Sequence, residues 1–333
     1  MIPKRTTKIP IIFGAMTFGV EQARVHDLKD AGAMLDTFKR FGGRVVDTAR
    51  VYGQGSSEEY LGELDWKGRG LVVDTKLYPN IADGTGSMTH SANDLRKYLN
   101  ESLKALKTDK LDLWYLHGPD RNTPYEETFR ACDELYKEGK FNRLGLSNYM
   151  AWEVAYISDM CMNKGWIRPT VYQGVYNAIH RTVEMELFPC LRHYGITFYA
   201  FSPLAGSQLT GRYKRDTQDA NIESMSRFDP NTFQGQKYRR RFWNDTIFDA
   251  LDVITEATEK HQLTQMEAAL RWIVHHSQLD PERGDSVIIG ASNLRQLEQN
   301  LEALEKDPLP DDVLEALDKG WAITKGIVKN YWH

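Results

Sequence analysis

Arg44-Val45-Val46-Asp47-Thr48-Ala49-Arg50-Val51-Tyr52 is the stretch from which the rest of the chain can be read. Two valines make a short apolar run that ends on Asp47, and Tyr52 follows in a turn marked by Gly53 and Gly55. A carboxylate and a phenol thus stand at a strand-to-helix junction. In barrels of alternating strands and helices, that junction lies on the face where the chemistry is done.

Upstream, Ile11-Ile12-Phe13-Gly14 reads as a first strand, and residues 28–41 have helical spacing through Ala31, Met34, Leu35 and Phe38. Downstream, extended runs at 71–76, 111–117, 144–148, 170–176, 196–202 and 286–290 complete a set of eight. Helical segments at 57–64, 91–106, 123–138, 152–163 and 182–194 separate the first seven, with a polar, glycine-containing loop at 80–86. Residues 203–245 form a polar stretch with Arg239-Arg240-Arg241, too long for a plain connection and therefore a functional loop or lid. Helices at 246–261 and 264–277 precede the last strand, and one at 294–304 follows it.

This alternation predicts an (α/β)8 TIM barrel over 1–333 as a single domain, with a long loop after strand seven and an extra C-terminal helix. An open doubly wound sheet would announce itself with G-x-G-x-x-G after the first strand, and residues 12–19 lack it.

With 333 residues, 41% hydrophobic and 26% charged, the chain can bury a sizeable core. A net charge of −4 creates no field that favours nucleic acid or an acidic membrane, which leaves a small molecule as the expected partner. The Met1-Ile2-Pro3-Lys4 start lacks a secretory pattern, and no run reaches the ~18 apolar residues of a membrane span, so a cytoplasmic protein is expected. Cys132, Cys161 and Cys190 are too widely spaced for a disulfide framework or a metal knuckle and read as reduced thiols. His275-His276 lies in a helix and no H-x-H occurs, so no metal site is expected.

On the barrel reading, Asp47, Lys76 and His117 end three neighbouring strands, with Tyr52 close behind the first. Four titratable side chains then converge on one sector, as proton transfer to an oxygen requires. A phenol is a poor acid at neutral pH; Lys76 beside it is expected to favour the phenolate and lower its pKa. Asp47 would hold Lys76 charged, and His117 would orient the substrate oxygen. These side chains cannot deliver hydride, so an electron carrier must bind elsewhere. Ser147, Asn148 and Gln173 could grip a carboxamide, Phe201 could stack on a flat ring, and Ser202-Pro203-Leu204-Ala205-Gly206 could wrap a pyrophosphate with backbone amides.

Val46-Asp47-Thr48-Ala49, Tyr52-Gly53, Thr75-Lys76, Leu116-His117, Gly145-Leu146-Ser147-Asn148, Val171-Tyr172-Gln173 and Ser202-Pro203-Leu204 together resemble the aldo-keto reductase pattern, in order, over nearly the whole chain. Trp114-Tyr115-Leu116-His117-Gly118-Pro119-Asp120, Glu186-Leu187-Phe188-Pro189-Cys190-Leu191-Arg192, Leu209-Thr210-Gly211-Arg212-Tyr213 and Gln296-Leu297-Glu298-Gln299-Asn300-Leu301 resemble its aflatoxin-aldehyde and succinic-semialdehyde reductase subfamily. The resemblance implies NADPH/NADP+ bound without a Rossmann fold and direct hydride transfer to an aldehyde or ketone. By position it makes Tyr52 the general acid, supported by Asp47, Lys76 and His117. It places Ser147, Asn148, Gln173 and Phe201 at the nicotinamide and the strap from Ser202 to Arg212, including Gln208, Thr210 and Gly211, over the pyrophosphate. Gly290, Ser292, Gln296, Gln299 and Asn300 fall at the adenosine phosphate, with Arg227 as its cationic partner.

Met16, Tyr78, Trp114, Trp243, Phe242 and Trp332 are expected to wall a pocket for apolar or aromatic carbonyl compounds. A homodimer is suggested by the subfamily alone. Three departures stand out: Asp74 shares strand parity with Lys76 and so puts an acid inside the barrel, Ser207-Gln208 replaces a Gly-Gly pair, and the chain closes on Tyr331-Trp332-His333 where the enzymes it resembles end in arginine. Two other readings compete. Channel-associated subunits share the barrel and can keep the tetrad while turning over little, and a racemase could use Tyr and Lys without explaining the cofactor-like residues.

Overall fold

The computed structural model describes residues 9–20, 23–79 and 88–333. The sequence-predicted loop at 80–86 and the N-terminal start lie outside them. Eight parallel strands close into a barrel in chain order: β1 (Ile11–Gly14), β2 (Val45–Asp47), β3 (Val72–Leu77), β4 (Leu111–Leu116), β5 (Phe141–Ser147), β6 (Pro169–Val175), β7 (Thr197–Phe201) and β8 (Ser286–Ile289). The (α/β)8 expectation holds. The crossovers are α1 (Leu28–Arg40), α2 (Ser56–Glu63), α3 (Ala92–Ala105), α4 (Tyr125–Lys137), α5 (Ala151–Lys164) and α6 (Leu187–Tyr194). After β7 come α7 (Phe233–Phe242), α8 (Asp245–Lys260) and α9 (Gln265–His275); α10 (Leu294–Leu304) and α11 (Asp311–Thr324) follow β8.

Alternation along each strand sorts side chains between two cores. Ile12, Leu113, Tyr115, Val171, Tyr199 and Ile288 meet inside the barrel. Phe13, Val46, Val73, Leu116, Leu146 and Phe198 face outward into the larger layer under the helices. Cys132 and Cys161 are buried and free there, and Cys190 is free and half-buried. No described helix is long and apolar enough to cross a membrane.

Two local readings are corrected. The segment at 182–194 is broken into a single 3-10 turn at Thr182–Glu184 and α6, which starts two residues before Pro189. Within 203–245, read as polar loop, residues 233–242 form α7, whose N-terminus is capped by Thr232 accepting from the Gly235 amide at 2.9 Å. Its run of polar residues masked the helical period.

Candidate active site

Parallel pairing puts Gly14, Asp47 and Asp74 side by side on β1, β2 and β3. One inward step up β3, Lys76 is fully buried. A buried ammonium survives only if its protons are taken up. Asp47 Oδ2 and the Thr48 carbonyl each accept from Nζ at 2.6 Å, and the Tyr52 hydroxyl is its third partner. Burial opposes the Lys76 charge, but attraction to Asp47 and then to Tyr52 more than offsets it and holds the ammonium above its usual range. The other oxygen of Asp47 accepts from Gln173 Nε2 at 2.8 Å.

Tyr52 lies with its ring centroid 4.9 Å from Lys76 Nζ. The expectation of a more acidic phenol is corrected. Burial raises the Tyr52 pKa, Lys76 counters only part of that rise, and Asp47 adds to it. The hydroxyl therefore keeps its proton, and the cation serves the charge that appears once the proton has left. His117 follows β4 and stands edge-on to Tyr52, ring centroids 5.7 Å apart at 83°. Burial and then Lys76 hold His117 well below the usual imidazole range, so it is neutral, and its Nδ1 is buried without a hydrogen-bond partner. The four sequence-predicted catalytic side chains thus form one cluster.

The residues expected around a cofactor divide. Asn148 donates to the His117 carbonyl at 2.8 Å and to Ser147 Oγ at 3.0 Å, while Gln173 is engaged with Asp47. Phe201 packs on the inner cluster at the barrel mouth. Beyond it, Ser202, Ala205, Gly206, Ser207 and Gly211 all take positive φ, curling the strap so that successive backbone amides can converge on an anion. Gly206 is required twice over: its φ is +69°, and a Cβ there would lie 2.3 Å from the Tyr238 ring. Pro203 is buried and Leu204 partly so, and Thr210 donates to the Ser207 carbonyl at 2.6 Å. Arg212 is paired with Glu223 at 2.8 Å. Gln208 points away from this cradle; it is fully buried and donates to the Phe242 carbonyl at 2.9 Å, anchoring α7.

At the opposite end, the Ser292 amide and hydroxyl both donate to Gln296 Oε1, at 3.1 and 2.7 Å, and Asn300 donates to the Gly290 carbonyl at 3.2 Å; Gln299 is exposed. This is the start of α10, where free amides favour an anion. The Arg227 guanidinium lies 5.4 Å from the ring of Tyr238, whose hydroxyl meets Ser202 Oγ at 3.3 Å, so it stands beside the strap.

Of the expected pocket walls, Met16 receives Gln234 Nε2 at 3.7 Å from α7 and Tyr78 stands edge-on to His117 at 5.4 Å. Trp114 does not belong there. Leu113 and Tyr115 face inward, so the residue between them faces outward, against Phe141 at 5.4 Å. Trp243 packs instead with Tyr213, Phe228 and Phe248 under the loop, and Phe242 is fully buried. Trp332 packs on the outer core, whereas His333 reaches Tyr78 at 5.8 Å.

The sequence reading missed what α7 brings. Tyr238 meets Ser202 Oγ at 3.3 Å, and Lys237 lies 5.9 Å from the Tyr78 ring. Arg241 donates to the Asn330 carbonyl at 3.2 Å. Among the described residues neither Lys237 nor Arg241 has a carboxylate within ion-pair range, and burial lowers the pKa of both. The arginine run was visible in the sequence; only its helical phase would have shown which members face the cleft.

Comparison with known proteins agrees with this geometry. The model of the aldo/keto reductase family matches residues 10–322. Aldo-keto reductase pigE of Monascus ruber is 48% identical over 335 positions, covering 98% of each chain. Human aldo-keto reductase family 7 member A3 is 44% identical over 96% of each chain, and mouse aflatoxin B1 aldehyde reductase member 2 is 43% identical over 99% of this chain and 90% of its own.

Proposed function

The chain belongs to the aldo/keto reductase family, and on that premise we propose that it reduces aldehyde or ketone groups of small molecules to alcohols, with NADPH as reductant and Tyr52 as general acid. The observation that carries this reading is the single ammonium of Lys76, shared among Asp47, the Thr48 carbonyl and the Tyr52 hydroxyl. When bound, the reduced nicotinamide supplies the hydride to the carbonyl carbon. Neutral His117 holds the carbonyl oxygen beside Tyr52. As negative charge grows on that oxygen, Tyr52 gives up its proton and Lys76 balances the phenolate left behind. Asp47 and Thr48 keep Lys76 in place throughout.

The strap from Ser202 to Arg212 and Arg227 beside it suit a diphosphate: curved backbone amides and a cation free of carboxylates among the described residues. Ser147, Asn148, Gln173 and Phe201 would border the nicotinamide. Ser292, Gln296 and Asn300 at the start of α10 would take the adenosine end, where a further phosphate favours NADPH over NADH. Lys237 and Arg241 above the pocket favour carbonyl substrates that carry an anionic group.

The test is loss of nicotinamide absorbance on mixing protein, NADPH and 4-nitrobenzaldehyde. Tyr52→Phe should lower kcat by about 10² to 10⁴, as removal of a general acid does. Equal turnover by Tyr52→Phe and wild type would rule out the proposed acid.

A further inference from the structure

Tyr52 enters a turn in which Gly53, Gln54 and Gly55 take φ of +55°, +54° and +98° in succession. Left-handed residues do not build a helix of their own, so a turn made of them takes its shape from what lies against it. Here that is Arg50. A Cβ on Gly55 would stand 2.0 Å from Arg50 Nη2, which shows the guanidinium packed directly on the backbone of the turn. Its Nη1 donates to Glu58 Oε2 at 2.6 Å, and Glu58 Oε1 accepts from the Thr75 hydroxyl at 2.6 Å.

Glu58, in the first turn of α2, is fully buried. Burial works against its charge; Arg50 first, then the hydroxyls of Thr75 on β3 and Ser102 on α3, work for it. The carboxylate therefore joins three elements at one point. Its bonds go to Thr75, the residue before Lys76, and to Arg50, two residues before Tyr52. A second tie runs in parallel, since the Arg50 amide donates to the Lys76 carbonyl at 3.0 Å.

We propose that Glu58 is a positioning residue: through Arg50 and Thr75 it fixes the turn that carries Tyr52 against the strand that carries Lys76, and so sets the phenol beside the ammonium that must balance it. This rests on the reading of Tyr52 as the general acid. Lys76 is pinned by Asp47 and the Thr48 carbonyl and cannot follow a phenol that drifts away. With the Tyr52 ring only 4.9 Å from Nζ, a small shift of the turn is felt directly by the charge that appears when the proton leaves.

The consequence belongs to the chemical step. Glu58→Gln and Arg50→Met, which cut the same bond from either side, should each lower kcat about tenfold with NADPH and 4-nitrobenzaldehyde and leave both KM values within about twofold. Thr75→Val keeps the Arg50–Glu58 pair and removes only the tie to β3, so it should move kcat the same way by a smaller factor and serves where Glu58→Gln fails to fold. In a Tyr52→Phe background Glu58→Gln should add almost nothing, because a residue that acts through the phenol has nothing left to position.

Wild-type kcat in Glu58→Gln overturns the proposal, as does a loss that appears in KM, which would report a displaced binding site. A full tenfold further loss in the Tyr52→Phe background overturns it too, since the effect would then not pass through Tyr52. The Tyr52→Phe control separates the two readings. Full activity there removes the general acid itself, whereas an impaired Tyr52→Phe beside an unaffected Glu58→Gln removes the positioning role alone.

Discussion

In the floor of the cleft, the Lys76 ammonium is fully buried and answered at 2.6 Å by Asp47; in the roof, Lys237 and Arg241 sit on α7 with no carboxylate in range among the described residues. The floor is built on strand ends, where register fixes side chains against one another. The roof is carried by a helix inside a long loop, tied down by Gln208, Thr232 and Gln234. The difference separates two tasks. Proton transfer needs charges compensated before substrate arrives, and recognition of an anion needs charges left uncompensated until it does.

The contrast can be broken most severely at the floor. Lys76→Met would strand Asp47 in the barrel, and urea unfolding at neutral pH should show a loss of about 3–5 kcal/mol. Stability equal to wild type would mean that the pair does not hold the floor. In the roof the same kind of deletion should leave the fold alone. Arg241→Ala and Lys237→Ala should each change stability by only about 0.5 kcal/mol, yet raise KM for 4-carboxybenzaldehyde about tenfold while sparing 4-nitrobenzaldehyde. Equal effects on both aldehydes would assign these cations to the cofactor or to packing. The smallest effect lies in the strap that joins the two regions. Ser207 has φ of +92°, a conformation that costs a side chain about 1 kcal/mol, so Ser207→Gly should raise stability by that amount in thermal unfolding. No gain would show that the serine is compensated in place.

Much of the floor was legible in the sequence because its signals are local. Val45-Val46-Asp47 is a strand ending on an acid, and the same period brought Lys76 and His117 to neighbouring strand ends. The roof was not legible, because Lys237, Tyr238 and Arg241 matter through the phase of a helix hidden in a polar stretch. Trp114 shows a nearer limit: its strand was read correctly, but inside and outside were not assigned until Leu113 and Tyr115 were seen to meet within the barrel.

By itself the sequence determined the alternation of eight strands with helices and the four side chains gathered at one rim. Tertiary structure alone decided how acidic those side chains are. Tyr52 is raised by burial despite Lys76, and Asp74 is left without donor or counter-ion inside the barrel. Periodicity is written residue by residue along the chain. Desolvation and charge pairing depend on distances between residues far apart in sequence, which exist only once the barrel has closed.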